Sequence, residues 1–100
     1  MTNNVLFEVE NNIAIITLNR PDQRNAINTD VCDGLRAAVD RLENTPELRA
    51  GILRGAGPVF CAGMDLKAFQ AGQGDAILMG EHGFVKLAKL VFDKDWHIHI

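Results

Sequence analysis

Apolar and polar positions along this chain follow two different periods. Leu6 to Glu10 alternate, Asn11-Asn12 is a polar pair, and Ile13 to Leu18 is almost continuously apolar and rich in β-branched residues. The pattern predicts two strands joined into a hairpin at Asn11-Asn12. Pro21 closes the second strand, because it has no N–H to give to a ladder. Further on, Val31, Leu35, Ala38, Val39 and Leu42 recur at spacings of three and four. That spacing predicts a helix from about Asp30 to Glu43. Thr29 stands where an N-cap belongs, and Asp30 and Asp33 suit the positive end of the helix dipole. Gly34 weakens the helix by about 1 kcal/mol relative to alanine, and Asn44-Thr45-Pro46 stops it. Ala50 to Arg54 reads as a short strand. Strand, helix and strand in that order predict a parallel pair.

The remaining pattern is weaker. Leu66 to Gln70 can start a short helix, and Ala71-Gly72-Gln73-Gly74 breaks it and reads as a mobile loop. Asp75 can cap a further helix on which Ile77, Phe84, Leu87, Ala88 and Val91 share a face, with Gly80 and Gly83 counting against it. No internal repeat or low-complexity tract is present.

Composition narrows the class. The chain has 100 residues, which is one domain at most, and 47% hydrophobic with 23% charged residues is ordinary globular composition. A net charge of −3 with scattered Lys and Arg gives no electrostatic case for nucleic acid. No apolar stretch approaches a membrane span, and Met1-Thr2-Asn3-Asn4 opens no secretory signal. Cys32 and Cys61 are far apart and form no CxxC, which suggests free thiols in a reducing compartment and a cytoplasmic protein. A thiol at Cys61 could act as a nucleophile, but no His lies near it in sequence; a small buried hydrophobe is the plainer reading.

Chemistry concentrates in Phe60-Cys61-Ala62-Gly63-Met64-Asp65-Leu66-Lys67, which follows the apolar run Gly51-Ile52-Leu53 and the turn cluster Gly55-Ala56-Gly57-Pro58. Small residues at a strand's mouth let a ligand approach the main chain, where a backbone N–H can face developing negative charge. Upstream stand Leu18-Asn19-Arg20-Pro21 and Asn25-Ala26-Ile27. In this order and spacing the three stretches resemble the crotonase (enoyl-CoA hydratase/isomerase) family. The resemblance starts near Val5, holds to about Phe69 and continues weakly to about Lys94.

The resemblance implies an α/β protein with the crotonase-like ββα spiral fold, of which this chain would cover about the first half. It implies binding of an acyl-CoA thioester, with coenzyme A as part of the substrate rather than a bound cofactor, and no metal. Met64 maps onto the family position whose backbone N–H is one of two oxyanion-hole donors to the thioester oxygen. Gln23, Arg24, Ala26, Ala62, Gly63, Met64, Asp65, Leu66 and Lys67 map onto the substrate and coenzyme A surface. Lys67 would supply a cation for phosphate, or else be a solvated surface lysine. Arg20 and Arg24 could offer charge to phosphate or ribose, or make structural contacts. Asp65 reads as a helix cap rather than an acid–base group. The commonest family reaction is hydration of a 2-enoyl-CoA in fatty-acid or related acyl-CoA metabolism; isomerisation, hydrolysis and decarboxylation also occur. Full-length relatives are expected to be homo-oligomers, with neither nucleic acid nor membrane as partner.

Two other patterns lead elsewhere. Gly55-x-Gly57 is not a dinucleotide fingerprint, because the third glycine position is Phe60. His97 and His99 could face one side of a strand and bind a metal, but no third ligand is apparent, and a frayed tail is the plainer reading. Residues 1–94 thus read as the N-terminal part of a crotonase-like domain and 95–100 as a divergent or truncated tail. Truncation, frameshift and cloned fragment all stay open for that end. The family's Gly-rich turn and catalytic acids have no counterpart here, so the chain alone is expected to be inactive. A non-catalytic remnant and an interaction module with exposed apolar surface remain as other readings.

Overall fold

The computed structural model describes residues 4–83 and 95–99. Strand β1 (Val5–Glu10) turns back into β2 (Ile13–Leu18), and the pair is antiparallel with Glu10 opposite Ile13. The two loop residues, Asn11 and Asn12, both have positive φ (54° and 64°). That is the backbone of a type I′ hairpin turn, and Asn tolerates it better than most residues. A single 3₁₀ turn (Pro21–Gln23) follows, then helix α1 (Thr29–Glu43). Strand β3 (Ala50–Gly55) pairs parallel to β2, with Ile15 beside Ile52. Two short helices come next, α2 (Leu66–Gln70) and α3 (Gly74–Met79). Strand β4 (Asp95–His99) completes a sheet of order β1-β2-β3-β4.

The stripe read from the sequence is the face α1 buries. Val31, Leu35, Ala38, Val39 and Leu42 are all at most 6% exposed, and Cys32 joins them. They pack on Ala14, Ile16 and Leu18 from one face of β2. Ile13, Ile15 and Ile52 point to the opposite face and are only partly buried. Among the described elements, α1 therefore covers one side of the sheet.

The structure corrects the sequence reading at several joints. The N-cap of α1 is Asn28, whose side-chain oxygen accepts from Val31 N–H at 3.0 Å; Thr29 is already helical. Both residue types can cap, and the extended backbone of Asn28 (ψ −175°) decides it. Asp75 lies in the first turn of α3 and does not cap it; Gln73 precedes the helix without a side-chain capping bond. The segment after α2 is a closed turn: Ala71 N–H donates to Lys67 O, Gly72 N–H to Phe69 O and Gln73 N–H to Ala68 O. Ile77 is fully buried, while Phe84, Leu87, Ala88 and Val91 lie outside the described residues.

Residues 95–99, where the sequence suggests fraying, extend the sheet. β4 runs parallel to β3 with Gly51 beside Trp96. The Trp96 ring packs against the core under α1, and its indole N–H donates to Glu43 Oε2 at 3.2 Å. A partly buried aromatic face with its polar edge satisfied helps to hold the strand.

Candidate functional site

The site grows from one turn and one bridge. After β2, the 3₁₀ turn ends with Arg24 and Asn25 both at positive φ (54° and 56°). This reversal brings Ile27 beside Met64 in an isolated parallel bridge. Ile27 N–H donates to Gly63 O and Asp65 N–H donates to Ile27 O, each at 2.7 Å. Ile27 thus takes both bonds from the neighbours of Met64, and the N–H of Met64 points to the other side.

An account of the loop's donors isolates one group. Ala62 N–H is taken by Arg24 O at 3.0 Å, and Gly63 N–H lies 3.4 Å from Cys61 Sγ. Asp65 N–H is in the bridge. Between Ala62 and Asp65, the Met64 N–H is the one without a protein acceptor among the described residues. Gly63 sits at φ +99° with open space where a side chain would go, so its backbone conformation, not crowding, is what favours glycine there.

Two polar side chains fix this loop. Asn25, 2% exposed, accepts from Arg20 N–H (2.8 Å) and donates to Ala56 O (2.9 Å) and Val59 O (2.6 Å). Arg20 Nη1 donates to Ala26 O (2.6 Å) and to Asp65 Oδ2 (2.9 Å). The other oxygen of Asp65 caps α2, accepting from Lys67 N–H (2.8 Å) and Ala68 N–H (3.1 Å). Gly55 makes the arrangement sterically possible. A Cβ there would run into the Phe60 carbonyl oxygen and come within 2.8 Å of Asn25 Nδ2.

The Arg20 hydrogen bond foremost, then that from Ala68 N–H, hold the Asp65 carboxyl below the usual carboxylate range, although burial opposes this. Its folded value lies below its unfolded one of about 3.9. The resulting stability is therefore present above about pH 4 and lost as pH falls through the folded value. Urea midpoints for the wild type and Asp65→Asn should accordingly differ most near neutral pH. The gap should close as pH falls below about 4; a gap that stays constant down to pH 2 would contradict the pairing.

The residues singled out in the sequence distribute unevenly. Gln23 and Lys67, both exposed, meet Arg20, Asn28, Asp65 and Gln73 around a hollow of about 340 Å³. Arg24 is exposed and contributes its carbonyl to the loop, not its guanidinium to this hollow. Ala26 contributes its carbonyl to Arg20. Ala62 and Gly63 are exposed, Met64 is half-buried with its side chain against the core, and Leu66 is 68% exposed. The sequence reading did not single out Asn25 as a site residue. Its signal was present: an Asn after Pro-Asp-Gln-Arg, where a left-handed backbone is needed. Burial first, then the Asp33 carboxylate, push the Cys32 thiol up, which makes it a poor nucleophile. Among the described residues, no group of three or more His, Cys, Asp or Glu is placed to hold a metal.

The comparisons bear on this geometry. Residues 8–95 match the family described as Enoyl-CoA hydratase/isomerase. The chain belongs to that family. A Mycobacterium tuberculosis protein named "Probable enoyl-CoA hydratase EchA14" is 48% identical over 71 residues, 71% of this chain and 28% of that protein. Enoyl-CoA hydratase EchA19 of the same organism is 46% identical over 79 residues, 78% of this chain and 30% of its own length. The crystal structure of enoyl-CoA hydratase EchA1 from Mycobacterium marinum superposes with TM-score 0.84 at 40% identity. That match covers 99% of this chain and 38% of the other. The fold is therefore the crotonase-like α/β fold, and the chain spans less than a third of the length of these two curated relatives.

Proposed function

We propose that this chain carries the thioester-recognition loop of an enoyl-CoA hydratase, with residues 1–94 as the N-terminal part of a crotonase-like domain. The Met64 N–H serves as one of two donors to the thioester carbonyl oxygen. Adding water to a 2-enoyl thioester places negative charge on that oxygen, and a fixed donor lowers the barrier without reorganising. The observation that carries the reading is the Met64 N–H itself: it has no acceptor among the described residues, yet bridge bonds on both sides hold it. Gln23, Lys67 and the backbone of Ala62 to Leu66 form the surface for the coenzyme A moiety. The names of the relatives favour hydration over the family's other reactions.

The test is a comparison of butyryl-CoA with S-butyl-CoA, a thioether that lacks the carbonyl oxygen. One added hydrogen bond should make the chain prefer the thioester by about three- to tenfold in calorimetric titration. Equal affinity for the two would overturn the reading. In this reading the chain supplies one of the two donors, and none of its carboxylates matches the family's catalytic acids. With crotonyl-CoA it should show no hydration above buffer, and a turnover number in the usual range of about 1–10³ per second would contradict this.

A further inference from the structure

The geometry points to Arg20 and Asp65 as positioning residues that set the direction of the Met64 N–H, an inference that rests on the proposed thioester reading. Arg20 reaches across the Ile27–Met64 bridge and binds one residue beside each member. It donates to Ala26 O, next to Ile27, and to Asp65 Oδ2, next to Met64. Both bonds come from the same nitrogen, Nη1, at 2.6 and 2.9 Å. The bridge fixes the distance between the two segments; the guanidinium fixes how they are rotated about it. Asp65 divides its oxygens between this staple and the cap of α2, so the start of that helix turns with the loop.

Stability alone does not account for the pair. The two side chains are 15% and 10% exposed. Desolvation takes back part of what such a pair gains, although its hydrogen bonds still hold the Asp65 carboxyl below the usual range. What it adds is geometry. A donor aimed at developing charge is effective only when held in place before the charge appears. Two N–H groups on one planar nitrogen meet two acceptors at fixed angles, which an ammonium on a flexible stem does not reproduce.

The experiment uses the 100-residue chain with butyryl-CoA and S-butyl-CoA as probes, in the wild type, Arg20→Gln, Arg20→Lys and Asp65→Asn. Asp65→Asn guards against simple misfolding, because Asn caps a helix about as well as Asp. The variants should fall from the wild-type preference of about three- to tenfold to near-equal affinity for the two probes; the ratio within each variant is the readout, because Arg20 and Asp65 also line the hollow beside Gln23 and Lys67. Arg20→Lys should behave like Arg20→Gln, since geometry and not charge is what is lost. Variants that keep the full preference overturn the positioning role. So does an equal loss of affinity for both probes, which is what general structural damage produces. A wild type that shows no preference is the separate failure of the thioester reading, and the positioning role falls with it.

Discussion

Met64→Pro, placed in a chimera whose remaining domain comes from a full-length family member, is expected to cost about 10²–10³ in kcat. Met64→Ala in the same chimera should retain most of it. Proline removes the Met64 N–H but none of the bridge bonds, which belong to Ile27, Gly63 and Asp65. Alanine keeps the N–H and loses only a half-buried side chain that packs against the core. Its cost is stability, about 1–2 kcal/mol. The pair separates backbone from side chain. Steady-state kinetics with crotonyl-CoA would read it: a Pro variant with near-normal kcat, or an Ala variant as damaged as the Pro variant, contradicts the assignment. Affinity for S-butyl-CoA is the control for loop distortion, because that ligand never uses the donor.

Gly55→Ala is expected to be strongly destabilising. The new methyl would collide with the Phe60 carbonyl oxygen and sit 2.8 Å from both Phe60 Cα and Asn25 Nδ2. Backbone cannot yield as a flexible side chain does. Overpacking of this kind typically costs about 1–3 kcal/mol, and the upper end is expected here. The two bonds Asn25 makes to Ala56 O and Val59 O would be displaced as well, leaving buried polar atoms unpaired. Urea melts should show a clear drop in midpoint relative to the wild type; an unchanged midpoint would mean the loop relaxes more freely than its contacts indicate.

How far the sequence could be read depended on how local each feature is. The hairpin was legible because Asn11-Asn12 names its own turn and six strand residues flank it on each side. α1 was legible because its period repeats over four turns, and α2 because Ala71 and Gly72 end it. The cap of α1 was misplaced by one residue, since Asn28 and Thr29 are both capping types and only the backbone angle separates them. β4 was missed for a different reason. Asp-Trp-His-Ile-His acquires its meaning from Gly51 and Glu43, more than forty residues earlier.

The site divides in the same way. The loop from Phe60 to Lys67 announced itself through small residues at the mouth of a strand. Which of its N–H groups is left unpaired did not follow from the sequence, because the answer depends on Ile27, Arg24 and the Cys61 sulfur together. Arg20 remained open between phosphate contact and structural contact until Ala26 and Asp65 were placed beside it. Asn25 was quoted as part of a motif, yet its buried bonds to residues more than thirty positions away are what tie the two loops.

The most direct measurement follows the Met64 amide in ¹H–¹⁵N spectra as the chain is titrated with butyryl-CoA and, separately, with S-butyl-CoA. The Met64 proton should shift downfield with the thioester as it gains an acceptor, and should move little with the thioether, while the amides of Ile27 and Asp65 keep their bridge shifts with both. A Met64 proton that responds identically to the two ligands, or to neither, would contradict the claim that this N–H is the donor to the thioester oxygen.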